Sequence, residues 1–163
     1  VASVSPLVIS DSGIEIIVNI PKESYWSGEA IRLAHEKNIA TGCYGDLFRV
    51  IDVQDVRAFE PKETAFIERG LRQHARITGF KRVFDRVYCI SRRGLPDITV
   101  AMLNEYELTA DHLRTARAWY GFFSVAVLTN PNGGATTSAA RVAETMGVEI
   151  LDWETFFGRL WKK

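Results

Sequence analysis

From Glu68 to Arg93 the chain carries Arg69, Arg72, Arg76, Lys81, Arg82, Arg86, Arg92 and Arg93 against only two acids, Glu68 and Asp85. Guanidinium and ammonium groups gathered in this way neutralise phosphate oxygens and release the counterions condensed on a nucleic acid. Arg69, Arg72 and Arg76 recur at helical spacing, so one helix face would present a basic ridge able to follow a phosphate backbone. The plainer reading is a solvated helix face paired with acids from elsewhere. The candidate nucleic-acid contacts are therefore Arg69, Arg72, Arg76, Lys81, Arg82, Arg92 and Arg93, with DNA or RNA as partner. No aromatic platform interleaves with them, which argues against stacking of a single strand.

A second candidate lies at Asn130-Pro131-Asn132-Gly133-Gly134, followed by Thr136, Thr137 and Ser138. A glycine-containing loop that feeds a helix amino terminus offers backbone N–H groups and the positive end of the helix dipole to an anion. Gly133, Gly134, Thr136 and Thr137 are the anion-binding candidates. The loop lacks the lysine of a nucleotide P-loop and the full dinucleotide glycine fingerprint, so the plainer reading, a loop and helix cap, is favoured. His35, His74 and His112 fall on separate predicted helices without metal-ligand spacing, and Cys89 has no base that the sequence can place beside it. Trp119 with Tyr120, and Trp153 with Phe156, Phe157 and Trp161, read as packing; an exposed remainder of the latter would suit a homodimer contact.

Two further stretches carry a family likeness. GLPDITV, residues 94 to 100, resembles the G-x-PD segment of the PD-(D/E)xK, restriction-endonuclease-like nucleases, and Glu105-Tyr106-Glu107 falls where their (D/E)xK triplet comes. The stretch VAVLTNPNGGATTSAARVAETMGVEILDWETFFGRL is similar to the end of the Mrr-like branch: a strand ending in threonine, a small-residue loop, a helix, a short strand and a final helix. The resemblance covers roughly residues 61 to 160. It implies a three-layer α/β core with a mixed, largely parallel sheet flanked by helices. It also implies a metal-dependent phosphodiesterase centre, in which Asp97 and Glu105 would hold Mg²⁺ to polarise the phosphate and activate a water.

The triplet departs from the family pattern. Glu107 stands where the lysine belongs, which inverts the charge beside the phosphate and marks the centre as degenerate, Mg²⁺ being required only if activity survives. The catalytic candidates are Asp97, Glu105 and Glu107, with Glu63 or Glu68 on the preceding helix as another source of carboxylate or as ordinary solubilising residues. Geometry bears on the choice. If residues 97 to 107 form one straight strand, a rise of about 3.3 Å per residue separates the Asp97 and Glu105 carboxylates by more than about 20 Å, too far for one ion.

The elements that must position these residues follow from local pattern. Residues 6 to 20 read as a β-hairpin around Asp11-Ser12-Gly13. SGEAIRLAHEKN reads as a helix capped by Ser27, and GCYGDLFRVIDV as a turn entering a strand. With Pro61 as boundary, residues 1–60 form a small α+β accessory segment and residues 61–163 the α/β core. PKETAFIERGLRQHARITG predicts an amphipathic helix ending near Gly79. RVYCI, ITVAML, SVAVLT and VEIL predict strands covered on both faces. Between them, helices run from Thr109 to Gly121 and from Thr136 or Thr137 to Gly147, with a last helix capped by Asp152.

Composition bounds the rest. The chain has 163 residues, enough for one main core with an appendage, and 20 basic residues balance 20 acidic ones. A globally basic nucleic-acid binder is excluded, so any such surface is local. No apolar run approaches the roughly twenty residues of a membrane span, and Cys43 and Cys89 form no CxxC pair. The expectation is a cytoplasmic protein without membrane contact, which binds nucleic acid or, in a different class of function, a protein partner or itself.

Overall fold

The computed structural model describes residues 13–20 and 24–162, so the first half of the expected amino-terminal hairpin lies outside them. The chain forms two compact units, one reaching to Gly70 and one beginning at Leu71.

In the first unit β1 (Ile16–Asn19) and β2 (Ala40–Cys43) run parallel, with Ile16 opposite Ala40 and Asn19 opposite Cys43. Parallel neighbours need a crossover, and α1 (Gly28–Glu36) supplies it. Among the described residues β1 is thus paired with the strand that follows a helix, in parallel sense. Ser27 caps α1 as the sequence predicts, its hydroxyl accepting the Ala30 N–H at 3.2 Å. Ala34 and Ile39 are buried, with Ile14, Ile17 and Leu33 packed against them.

GCYGDLFRVIDV does not enter a strand. It closes β2 and forms α2 (Tyr44–Val50), followed by a 3₁₀ turn over Val56–Ala58. Asp46 decides the matter: one carboxylate oxygen accepts the Cys43 N–H at 3.0 Å and the Cys43 thiol at 3.1 Å, while the other accepts from Arg49 at 3.0 Å. That satisfies a donor which a helix start would otherwise leave orphaned. Tyr44, Leu47, Phe48 and Ile51 stand at helical spacing, a pattern concealed in the sequence by the flanking valines.

A helix, α3 (Lys62–Gln73), leads into the second unit. It stops short of the expected end at Gly79. The His74 carbonyl accepts from Ile77 N–H at 3.0 Å and the His74 ring from Arg76 N–H at 3.2 Å, which turns the chain. ITGFKRVF, rich in β-branched and aromatic residues, then forms β3 (Ile77–Phe84). With β4 (Val87–Arg92) and β5 (Leu95–Leu103) it makes an antiparallel meander whose turns are Asp85-Arg86 and Arg93-Gly94. Gly94 has φ +68, a conformation that side chains with a Cβ rarely adopt.

The remaining elements are β6 (Glu107–Leu108), α4 (Ala110–Tyr120), β7 (Val125–Leu128), β8 (Gly134–Ala135), α5 (Thr137–Met146), β9 (Glu149–Asp152) and α6 (Trp153–Arg159). The main sheet has the order β3-β4-β5-β7-β9. β5, β7 and β9 are parallel, whereas β3, β4 and β5 are antiparallel. The protein is α/β with a mixed five-stranded sheet, and the sheet is evenly divided in sense where a largely parallel one was expected. Two hairpin turns too short for crossovers impose that division. The right-handed sense that such crossovers take puts α4 and α5 on one face, where they pack together. Tyr88, Ile90, Val100, Met102, Leu113, Phe123, Val125 and Phe156 fill the core.

Candidate nucleic-acid interface

Alternation along β4 places Tyr88, Ile90 and Arg92 on the same face, and all three are buried. Arg92 is only 5% exposed and is held entirely by backbone carbonyls. Its Nε and Nη2 donate to Pro96 O at 2.9 and 2.7 Å, and Nη1 donates to Lys162 O at 2.7 Å. Burial pushes the Arg92 pKa below the usual arginine value, and the neighbouring Arg159 and Arg76 guanidiniums push it further while Asp97 opposes them. The group nevertheless stays charged, as arginine does in proteins.

Arg76 lies in the turn after α3, and its guanidinium stacks over Trp161 at 5.0 Å from the ring centroid. Its Nε is buried without a hydrogen-bond acceptor among the described residues. Arg93, exposed in the turn between β4 and β5, ties its backbone N–H to Arg76 O at 2.9 Å. Arg159 completes the group; its Nε is 2.6 Å from Glu149 and its Nη1 donates to Lys162 O at 2.9 Å. Among the described residues no carboxylate lies within ion-pair distance of Arg76, Arg92 or Arg93. Like charges gathered around a buried guanidinium, with an orphaned donor that costs about 1–3 kcal/mol, are an arrangement that folding alone does not favour.

The other basic candidates go elsewhere. Arg69 and Arg72 are exposed on α3, and Arg72 lies over Phe80 at 5.6 Å. Because the helix ends at Gln73, Arg76 does not extend their ridge. Lys81 is exposed on β3, while Arg82 folds back on its own hairpin, donating to Asp85 O through Nε at 3.1 Å and Nη2 at 2.8 Å.

The opposite end of the sheet is acidic. After β5, Glu105 approaches His112 at 3.9 Å, and Glu107 is exposed in β6, whose Cα partner is Gly134 of β8. The predicted anion loop and the acidic triplet are thereby brought side by side, a juxtaposition that the sequence did not announce. The loop's donors serve this pairing. Gly134 N–H donates to Tyr106 O and Thr136 N–H to Leu108 O, each at 3.0 Å, and Gly133 N–H donates to Asn130 O at 2.9 Å. The Thr136 hydroxyl accepts Ala139 N–H at 3.1 Å as the helix cap. Thr137 opens α5 and is exposed. With Glu105 and Glu107 adjacent, the local field opposes an anion.

Asp97 and Glu105 are not brought together. β5 runs without a turn from Leu95 to Leu103, so Asp97 sits near one end of the strand and Glu105 lies beyond the other. At about 3.3 Å per residue the separation exceeds about 20 Å. Asp97 accepts the Ser91 hydroxyl at 3.1 Å instead. Among the described residues no three His, Cys, Asp or Glu side chains gather closely enough to hold a metal ion.

Three features escaped sequence reasoning. Arg159 and Trp161 reach the basic group from the far end of the unit, and only the packing of α6 on β7 and β9 brings them there. Asp85, in the two-residue turn between β3 and β4, has a buried carboxylate oxygen without a partner among the described residues. Burial pushes its pKa up, against the Arg86 and Arg82 charges and a hydrogen bond from Tyr120. An acid between two apolar strands was the available signal. No family model, curated protein or solved structure matches the chain.

Proposed function

We propose that the chain is a nucleic-acid-binding α/β protein of restriction-endonuclease-like architecture whose nuclease centre is degenerate. The convergence of Arg76, Arg92, Arg93 and Arg159 at one end of the sheet carries the reading. The fold component is supported by element order: a helix, three antiparallel strands, then helix and parallel strand twice over. Element order speaks for architecture alone, and phosphate binding rests on the arginines themselves. The test is binding of short DNA and RNA by the full chain as salt is raised. Affinity that falls steeply with salt supports phosphate contacts, and affinity indifferent to salt rejects them.

Hydrolysis through Asp97 and Glu105 is not part of this proposal, because a straight β5 holds the two carboxylates too far apart for one ion. Incubation with Mg²⁺ or Mn²⁺ is expected to leave DNA and RNA intact. Cleavage that disappears in both Asp97→Ala and Glu105→Ala, with folding retained, would establish the alternative, a divergent Mg²⁺-dependent nuclease.

A second reading is favoured by α2. Tyr44, Phe48 and Ile51 are 50%, 61% and 75% exposed, and with Leu47 they form one apolar stripe on that helix. A stripe of four side chains on one short helix is too small for a permanent dimer and suits weak pairing of two copies. Sedimentation over a range of concentration is expected to show a dimer that Phe48→Glu abolishes. A monomer at every concentration rejects self-association through this face.

A further inference from the structure

Trp161 is 54% exposed although Arg76 lies over its ring and His74 meets it at 5.8 Å with the planes 65° apart. His74 itself stacks on Phe157 at 5.3 Å. Burial lowers the His74 pKa, against a hydrogen bond to the Phe157 carbonyl, so the imidazole supports the indole without adding charge. The indole is thus held between a guanidinium and an imidazole and is still more than half exposed. Arg93, whose backbone N–H donates to Arg76 O at 2.9 Å, is exposed in the adjoining turn.

This combination differs from a bare basic ridge. A ridge contacts phosphates and is indifferent to whether bases are paired, whereas an open indole offers its face only to a base that is not already stacked in a duplex. The guanidinium beneath the ring raises the local positive potential where the attached phosphate would lie. We propose that Trp161, with Arg76 and Arg93, forms a site for an unpaired nucleotide, the base on the indole and the phosphate on the guanidiniums. The preferred nucleic acid is then single-stranded, or carries an unpaired end. The inference rests on the nucleic-acid-binding reading given above and narrows it to a strand class.

The test uses the full chain and labelled oligothymidylate, oligouridylate and a blunt DNA duplex of the same length, followed by anisotropy at low and raised salt. The single strands are expected to bind more tightly than the duplex. Trp161→Leu should weaken single-strand binding about tenfold, within the range found for loss of one base–aromatic stack, and leave the duplex unchanged. Trp161→Phe keeps a ring and should retain most of the affinity; being close in size to leucine, it separates stacking from packing, while circular dichroism verifies folding of both variants. If either variant is unfolded, Arg93→Gln, a change in an exposed turn, takes its place and should weaken both single strands. Relative affinity for the two oligomers tells whether DNA or RNA is favoured. Salt-dependent duplex binding with single strands no tighter, or single-strand binding indifferent to these changes, overturns this inference and leaves the general reading standing. No binding to any of the three probes overturns both.

Discussion

The guanidinium of Arg76, in the turn after α3, lies 5.0 Å from the ring centroid of Trp161 in the last described stretch of the chain. The contact fastens the carboxy-terminal segment to the start of β3. A cation over an indole is worth about 0.5–2 kcal/mol, depending on how far it is desolvated. A double-mutant cycle with Arg76→Ala and Trp161→Ala, read by urea unfolding, should give a coupling of about 1 kcal/mol. Additive single effects would show that the rings and charges merely lie close.

Asp152 fixes the start of α6 by accepting Thr155 N–H at 2.6 Å. Hydrogen bonds from the Thr155 backbone and side chain hold its pKa below the ordinary Asp value of 3.8. A depressed folded pKa means a contribution fully present above 3.8 and lost as pH falls through the lower folded value. Asp152→Ala should lose about 1 kcal/mol at neutral pH, while Asp152→Asn, which still caps, should lose less. Equal losses would place the stabilisation elsewhere.

Asp85 has the opposite sign. Burial raises its folded pKa above 3.8, so the stability it contributes is complete below that value and is lost as pH rises through the folded pKa. At neutral pH the buried charge is a burden. Asp85→Asn should therefore raise the thermal midpoint at neutral pH and flatten its decline between acid and neutral conditions. A lower midpoint at both ends of that range would mean that the carboxylate is bound more strongly than its orphaned oxygen indicates.

For His74 the folded pKa is depressed, chiefly by burial, so the neutral ring is favoured. Its contribution is complete above the ordinary histidine value of 6.5 and is lost as pH falls through the folded value. Nuclear magnetic resonance titration of the His74 ring should give a midpoint below 6.5. A midpoint at or above that value would count against desolvation of the imidazole.

Gly133 carries the closest approach in the loop between β7 and β8. A Cβ added there would lie 2.5 Å from Glu105 O and 3.0 Å from Asn130 O. Gly133→Ala should destabilise by about 1–3 kcal/mol, since both contacts are backbone and must shift. Amide exchange at Gly134 and Thr136, whose N–H groups bind the strap between β5 and α4, should accelerate more than exchange in β7.

The sequence by itself determined the features whose causes lie within a few residues. Ser27, Thr109, Thr136 and Asp152 cap the helices they were expected to cap, and α4 and α5 stop at Gly121 and Gly147. A side chain that accepts an N–H three positions on needs no tertiary context. Apolar runs likewise marked β4, β5, β7 and β9; β7 is buried on both faces, whereas β9 is an edge strand that is only partly buried. Tertiary structure decided what remote contacts control. The local alternation around Phe48 was overruled by Asp46, and Ile77–Phe84 became an edge strand because β4 offered it a ladder. The sense of each pairing, the separation of Asp97 from Glu105, and the meeting of Arg76 and Arg92 with Arg159 and Trp161 depend on which elements the folded sheet sets side by side. No window of the sequence contains those relationships, because burial and Coulomb interaction act through distance in space, whereas caps and periodicity act through distance along the chain.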